Sequence, residues 1–222
     1  MTLKAIIFDH DGVMVDTEPL HSLAWVAILE KYGIRPKLHE NGLVHQVGIT
    51  INENWKILKS TYNLTENTDL LEEQRGQLYL AQLKMANPMP GLDTLLRALR
   101  VEKDKGNMKI AIGSSSNREY IKMAVRNFGF ADDFDLIISG KDVSHGKPAP
   151  DIYLKAAQDL DLSPENCLVL EDTSADVTAA KAAHMKVIAI PNAYTAGNDF
   201  SNADMVVSSL QAVELELICS IF

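Results

Sequence analysis

Positive charge is scarce in this 222-residue chain: 21 Lys and Arg stand against 30 Asp and Glu, a formal net charge of −9. A surface of that sign is poorly suited to a nucleic-acid backbone, so no nucleic-acid partner is expected. Any anionic small molecule must be caught locally, by a few placed cations or a metal. Cysteine is almost absent. Cys167 and Cys219 are far apart in sequence, which leaves neither a disulfide framework nor a zinc site. Long apolar runs are missing too. The start, MTLKAIIFDHDG, has one short apolar stretch before acids appear, too short for a signal peptide or a membrane span. The expectation is a soluble cytoplasmic protein with no membrane partner, a monomer or weak homodimer. Internal repeats and low-complexity segments are also lacking. With 46% hydrophobic and 23% charged residues, the composition is globular rather than disordered.

Five short apolar runs are present: Ala5–Phe8, Ile110–Ile112, Leu136–Ile138, Leu168–Leu170 and Val187–Ile190. Met205–Val207 is a weaker sixth. Their continuous hydrophobicity predicts strands buried on both faces, as in a parallel sheet. Helical patterns lie between them, at Glu119–Phe128, Asp151–Leu160 and the Ala-rich Ser174–Ala183. Alternating strands and helices predict an α/β fold with a doubly wound, mostly parallel, Rossmann-like sheet. From about Glu18 to Pro88 the alternation stops. Helical stretches are expected at Leu20–Tyr32, about Ile51–Tyr62 and about Asp69–Lys84, and Pro88-Met89-Pro90-Gly91 marks the return. The division expected is a core of residues 1–16 plus 89–222 and an α-helical insertion at 17–88. The polar run Glu102–Asn107 reads as a solvated loop.

Chemistry-bearing residues gather at the carboxyl ends of these strands, the edge where open α/β sheets bind ligands. The first strand runs into Asp9-His10-Asp11-Gly12. Two carboxylates so close call for a cation, although a plain Asp-Gly turn would also account for them. The second ends in Gly113-Ser114-Ser115-Ser116-Asn117, either phosphate donors or a helix N-cap. Gly146-Lys147-Pro148-Ala149-Pro150-Asp151 places a lysine on a rigid loop, where it either offsets phosphate charge or is simply exposed. The fourth strand ends in Glu171-Asp172-Thr173. Asp176 follows on the same face of the next helix, where acids also favour the helix dipole.

In this order, the Asp-x-Asp, serine cluster, lysine and acidic pair resemble the four motifs of the haloacid dehalogenase superfamily over nearly the whole chain. The 17–88 insertion is similar to that family's helical cap. Asp16-Thr17-Glu18-Pro19-Leu20-His21, Trp25 and Gly-Lys-Pro-Ala-Pro-Asp are similar to the subgroup holding β-phosphoglucomutase and sugar-phosphate phosphatases. The resemblance implies a phosphoryl-transfer enzyme acting on a small phosphorylated metabolite. It makes Asp9 the nucleophile and Asp11 the general acid and base. Ser114, Ser115 and Lys147 would bind the phosphoryl group. Mg²⁺ would sit on Asp9, Asp11 through its backbone carbonyl, Glu171 and Asp172. Substrate residues would be Thr17, His21, Trp25, Arg75 and Asn117. Trp25 could equally pack the cap core, His21 could be a surface residue, and Arg75 could be solvated on its helix.

Departures from the subgroup bear on the reaction. Its mutase carries an arginine in a cap loop, where this chain has Gly48-Ile49-Thr50-Ile51-Asn52-Glu53 and no base. Charge-assisted bonds are about twice as strong as neutral ones, so this loop is poorly equipped for a second phosphate. That favours a phosphatase over a phosphomutase. His10, Asp176, His184 and Gly113 also depart from the common pattern. A dehalogenase would need neither the second aspartate nor a metal. A catalytically silent binding protein would have no need of this mutually repelling acidic set.

Overall fold

The structure is a computed structural model that describes residues 2–47 and 49–222. Met1 and Gly48, the first residue of the cap loop compared above, lie outside the described residues. Two compact units are present: Thr17–Ala86, and the segment up to Asp16 together with Asn87–Phe222.

The larger unit is built on a six-stranded, all-parallel sheet of β1 (Ala5–Phe8), β2 (Lys109–Ser114), β3 (Leu136–Ser139), β4 (Cys167–Glu171), β5 (Lys186–Ala189) and β6 (Met205–Val206). The strand order is β3-β2-β1-β4-β5-β6, so β1 is central. Ile7 pairs in register with Ala111 on one side and Val169 on the other. Every residue of β1 is buried. Alternation of side chains sends Ala5, Ile7, Ala111, Val169 and Val187 to one face. There they pack with Ile152, Tyr153 and Ala156 of α6 (Asp151–Asp159) and with Val177 and Ala180 of α7 (Ser174–Ala182). The remaining helices of this unit are α4 (Leu92–Asp104), α5 (Arg118–Asn127) and α8 (Leu215–Cys219).

Helix α4 corrects the reading of Glu102–Asn107 as a loop, because it continues through Asp104 before the chain turns at Gly106. Its signal was the spacing of Leu92, Leu95, Leu96 and Leu99, all buried on one stripe.

The smaller unit consists of α1 (Glu18–Lys31), α2 (Ile51–Tyr62) and α3 (Thr68–Leu83). Local chemistry sets the ends of α2 and α3. Thr50 and Glu53 form a capping box for α2, and the Asn67 side chain accepts from the first backbone N–H groups of α3. Trp25, Ile28, Leu29, Val44, Trp55, Leu58 and Leu71 form the core, with the two indoles edge to face at 4.4 Å. A buried polar seam runs beside it. Glu72 accepts from Trp55 Nε1 at 2.8 Å and from Arg75 Nε and Nη2 at 2.7 Å each. The Arg75 guanidinium lies 4.9 Å from the Trp25 ring centroid.

Among the described residues no helix is long and apolar enough to cross a membrane.

Candidate active site

Strand ends bring the candidate residues together. Asp9 is the first residue past β1, and its N–H donates to Leu170 O of β4 at 3.0 Å. The next turn is tight. Gly12 takes φ +79°, and its N–H returns to Val15 O at 2.8 Å. Ser114 closes β2, and Glu171 and Asp172 leave β4. Lys147 arrives from the loop between β3 and α6.

Lys147 is the centre of the arrangement. Its buried Nζ lies 2.7 Å from Asp9 Oδ1, 2.5 Å from Glu171 Oε1 and 3.4 Å from Asp176 Oδ2. Those carboxylates and Asp172 offer oxygens that all lie within 4.8 Å of one another. Four carboxylates thus face one ammonium. Burial raises the Asp9 carboxyl to about 6 despite the lysine beside it. Burial and the neighbouring acids push Glu171 and Asp172 well above the usual carboxylate range. Burial alone would lower Lys147, but Asp176, Asp9 and Glu171 hold it well above its usual value. The acidic set therefore has an unmet demand for positive charge. All its donors are oxygens, which suits a hard divalent cation such as Mg²⁺.

The backbone is cut to leave room beside the acids. A Cβ on Gly12 would fall 2.1 Å from Asp172 Oδ2 and 2.9 Å from Asn192 Nδ2. Asn192, beyond β5, donates to that same Asp172 oxygen at 2.7 Å. Gly12→Ala would displace Asp172 and also force a side chain into left-handed backbone, which costs about 1–2 kcal/mol. We expect lower stability in urea melts together with loss of divalent-cation binding by calorimetry.

Asp11 points to a different set of partners. Its Oδ2 accepts from Ser116 Oγ at 2.5 Å and, at the long limit of 3.4 Å, from Ser114 Oγ. His10, fully buried, lies with Nδ1 3.3 Å from Asp11 Oδ1. Burial opposes charging of that imidazole, but Asp11 outweighs it and the pKa is raised. Asp11 is therefore not in the four-carboxylate set.

The remaining expected residues divide. Ser114 is buried beside Asp11, whereas Ser115 is exposed. Asn117 Oδ1 is occupied capping α5, where it accepts from Glu119 N at 3.1 Å. In the smaller unit, Thr17 is the N-cap residue of α1. Trp25 is buried in the core, the packing alternative raised for it. Arg75 is not solvated on its helix: it is fully buried and its guanidinium is held by Glu72. His21 is half-buried, stacked on Tyr79 at 4.0 Å, with its Nδ1 3.2 Å from Arg75 Nη1. Ser116, Tyr153 and Asn192 were missed. Ser116 lay inside a recognised serine run. Tyr153 and Asn192 reach the site through the tertiary fold, for which the local sequence holds no sign.

A central parallel strand leading into Asp-x-Asp, with a serine, a buried lysine and an acidic pair at neighbouring strand ends, makes this edge of the sheet the candidate active site. The chain belongs to the haloacid dehalogenase-like hydrolase family, whose sequence pattern matches residues 6–190. It is 32% identical to the β-phosphoglucomutase of Bacillus subtilis, over 97% of this chain and 94% of that protein. It is 28% identical to the fructose-1-phosphate phosphatase of Escherichia coli, over 82% of this chain and 94% of that one. The crystal structure of β-phosphoglucomutase from Clostridium difficile superposes with a TM-score of 0.80 at 26% identity, covering 99% of this chain and 97% of that one. The chain is thus an enzyme of this hydrolase family, with a Rossmann-like core and a helical cap.

Proposed function

We propose that this enzyme is a Mg²⁺-dependent phosphatase that hydrolyses a small phosphomonoester, a sugar or polyol phosphate, with Asp9 as nucleophile. The observation that carries the proposal is Lys147 Nζ on Asp9 Oδ1 at 2.7 Å, inside an acidic set short of positive charge. Asp9, Glu171, Asp172 and Asp176 are the carboxylates that would hold the cation, together with the Asp11 backbone carbonyl, and the cation when bound supplies positive charge against the phosphoryl oxygens.

An Asp9 carboxylate oxygen attacks phosphorus, and the bond from phosphorus to the leaving oxygen breaks. Asp11 gives that oxygen its proton. Water then attacks the phosphoryl group on Asp9, Asp11 takes a proton from that water, the bond between phosphorus and the Asp9 oxygen breaks, and inorganic phosphate leaves. Lys147 offsets negative charge throughout, and Ser114 donates to a phosphoryl oxygen. Ser116 fixes the Asp11 carboxylate in place for both proton transfers.

A phosphomutase is the second reading, favoured by the likeness to β-phosphoglucomutase. Against it stand the cap loop, which has no basic residue from Ile49 to Glu53, and Arg75, which is already paired with Glu72. A screen of phosphorylated metabolites with and without Mg²⁺ tests the proposal. Phosphate release that stops on chelation is expected. Metal-independent release, or none from any substrate, would sink it. Glucose 6-phosphate formed from β-glucose 1-phosphate and a bisphosphate activator, without net phosphate release, would establish the mutase instead.

A further inference from the structure

Ser139, the last residue of β3, is fully buried and pairs in register with Ser114 of β2. Its hydroxyl bonds in two directions. As an acceptor it takes Lys141 N at 3.4 Å, within the capping box of the short turn Gly140–Asp142. As a donor it crosses to the end of the neighbouring strand and bonds Ser116 O at 2.7 Å. The cap accounts for the first bond and leaves the second without a local purpose. Two more ties join the same segments. Gly140 comes so close to the serine loop that a Cβ there would fall 2.9 Å from Ser115 O. Asp142 Oδ2 accepts from Ser139 N at 2.7 Å and from Nη2 of Arg118, the first residue of α5, at 2.5 Å. The end of β3 and the turn after it thus brace the loop that carries Ser116.

We infer that Ser139 is a positioning residue for proton transfer, acting on Asp11 through Ser116. A serine hydroxyl turns about a single side-chain bond with three staggered settings, so its aim depends on where its backbone is held. Ser116 is held at both sides: its N–H donates to Ser114 Oγ at 3.1 Å, and its carbonyl accepts from Ser139. That leaves Ser116 Oγ on Asp11 Oδ2 at 2.5 Å. Without the Ser139 hydroxyl the carbonyl side of Ser116 is released. The Ser116 hydroxyl then strays from Asp11, and the Asp11 carboxyl is no longer fixed for the proton it gives to the leaving oxygen. Small losses of alignment at a reacting group are costly in rate.

This inference rests on the proposed reading of the site as a phosphatase with Asp11 as general acid, and the leaving group tests it. A sugar alkoxide needs a proton as it departs, whereas p-nitrophenolate leaves as the anion. For the best sugar phosphate of the metabolite screen, Ser139→Ala is expected to lower kcat/KM about tenfold, the scale of one hydrogen bond. For p-nitrophenyl phosphate the change is expected to stay below about twofold, because that step asks little of Asp11. Ser139→Cys keeps the volume and weakens the donor, and is expected to show the same selective loss. In a Ser116→Ala background, Ser139→Ala is expected to cost nothing further on the sugar phosphate, since the residue through which it acts is gone. Equal losses on the two substrates, in either variant, would mark a purely structural role and overturn the inference. So would a loss from Ser139→Ala that is undiminished by Ser116→Ala, a comparison that needs the sugar phosphate alone. If the unaltered enzyme hydrolysed no phosphomonoester, the proposed function would fail and this inference with it. Hydrolysis with unselective losses would overturn the inference and leave the proposed function standing.

Discussion

Asp9→Asn is expected to abolish phosphate release while leaving a folded protein. An amide nitrogen has no lone pair free to attack phosphorus, and loss of a residue that acts as a unit with its partners costs on the order of 10⁴-fold or more in turnover. The effect on stability should have the opposite sign. Burial raises the Asp9 carboxyl to about 6, so the fold opposes its ionisation. The sign follows from linkage. An acid whose pKa rises on folding binds its proton more tightly in the native state, so its ionised form disfavours the fold above that pKa. At neutral pH without added metal, Asp9→Asn removes a buried charge that faces Asp176 and Asp11. Its melting temperature should equal or exceed that of the unaltered chain. A folded Asp9→Asn enzyme with undiminished turnover would rule out Asp9 as nucleophile.

Lys147→Ala is expected to damage both stability and catalysis. It strips the single ammonium from Asp9, Glu171 and Asp176 and leaves their charges uncompensated in a buried site. Breaking a buried pair from one side costs about 3–5 kcal/mol. Turnover should fall by about 10²–10³-fold through lost charge stabilisation. The two losses should respond differently to metal. A divalent cation binds only the folded acidic set, so by mass action it should restore part of the stability. Turnover should stay low, because the charge carried by Lys147 on the phosphoryl side is still missing. Thermal melts with and without Mg²⁺, run beside phosphate-release assays, separate the two. A Lys147→Ala protein as stable as the original in metal-free buffer would show that the lysine does not neutralise the cluster.

Much of this arrangement was legible in the sequence because it depends on short-range patterns. Continuous apolar runs such as Ala5–Phe8 appear only where both faces of a strand are covered, and β1 is buried throughout. The chemistry follows the strand ends, so Asp9, Ser114 and Asp172 could be placed before any geometry was known. Three kinds of residue escaped. Helix α4 was overlooked because its charged last turn obscured the leucine stripe before it. Arg75 looked like a surface charge because α3 is polar along much of its length; Glu72 is its i,i+3 neighbour on the same helix, but only the tertiary fold brings Trp25 and His21 around the guanidinium. Tyr153 and Asn192 sit on α6 and beyond β5. Their approach to Glu171 and Asp172 depends on the strand order, which no local spacing encodes.

The chain leaves the larger unit after Asp16 and returns to it at Asn87, and the two crossings are clasped together. Val15 pairs with Pro88, and Met89 N donates to Met14 O at 2.8 Å. The clasp acts as a socket. Whatever lies between its jaws is already closed at the base, so the entropy of closure changes little with the size of the insert, by about 0.6 kcal/mol for each doubling of length. The insert carries its own tryptophan-centred core and needs no residue of the catalytic edge for that core. The core of the insert and the sheet that carries Asp9 can therefore vary independently, and this socket is where an insert of another length can be exchanged while leaving Asp9 untouched.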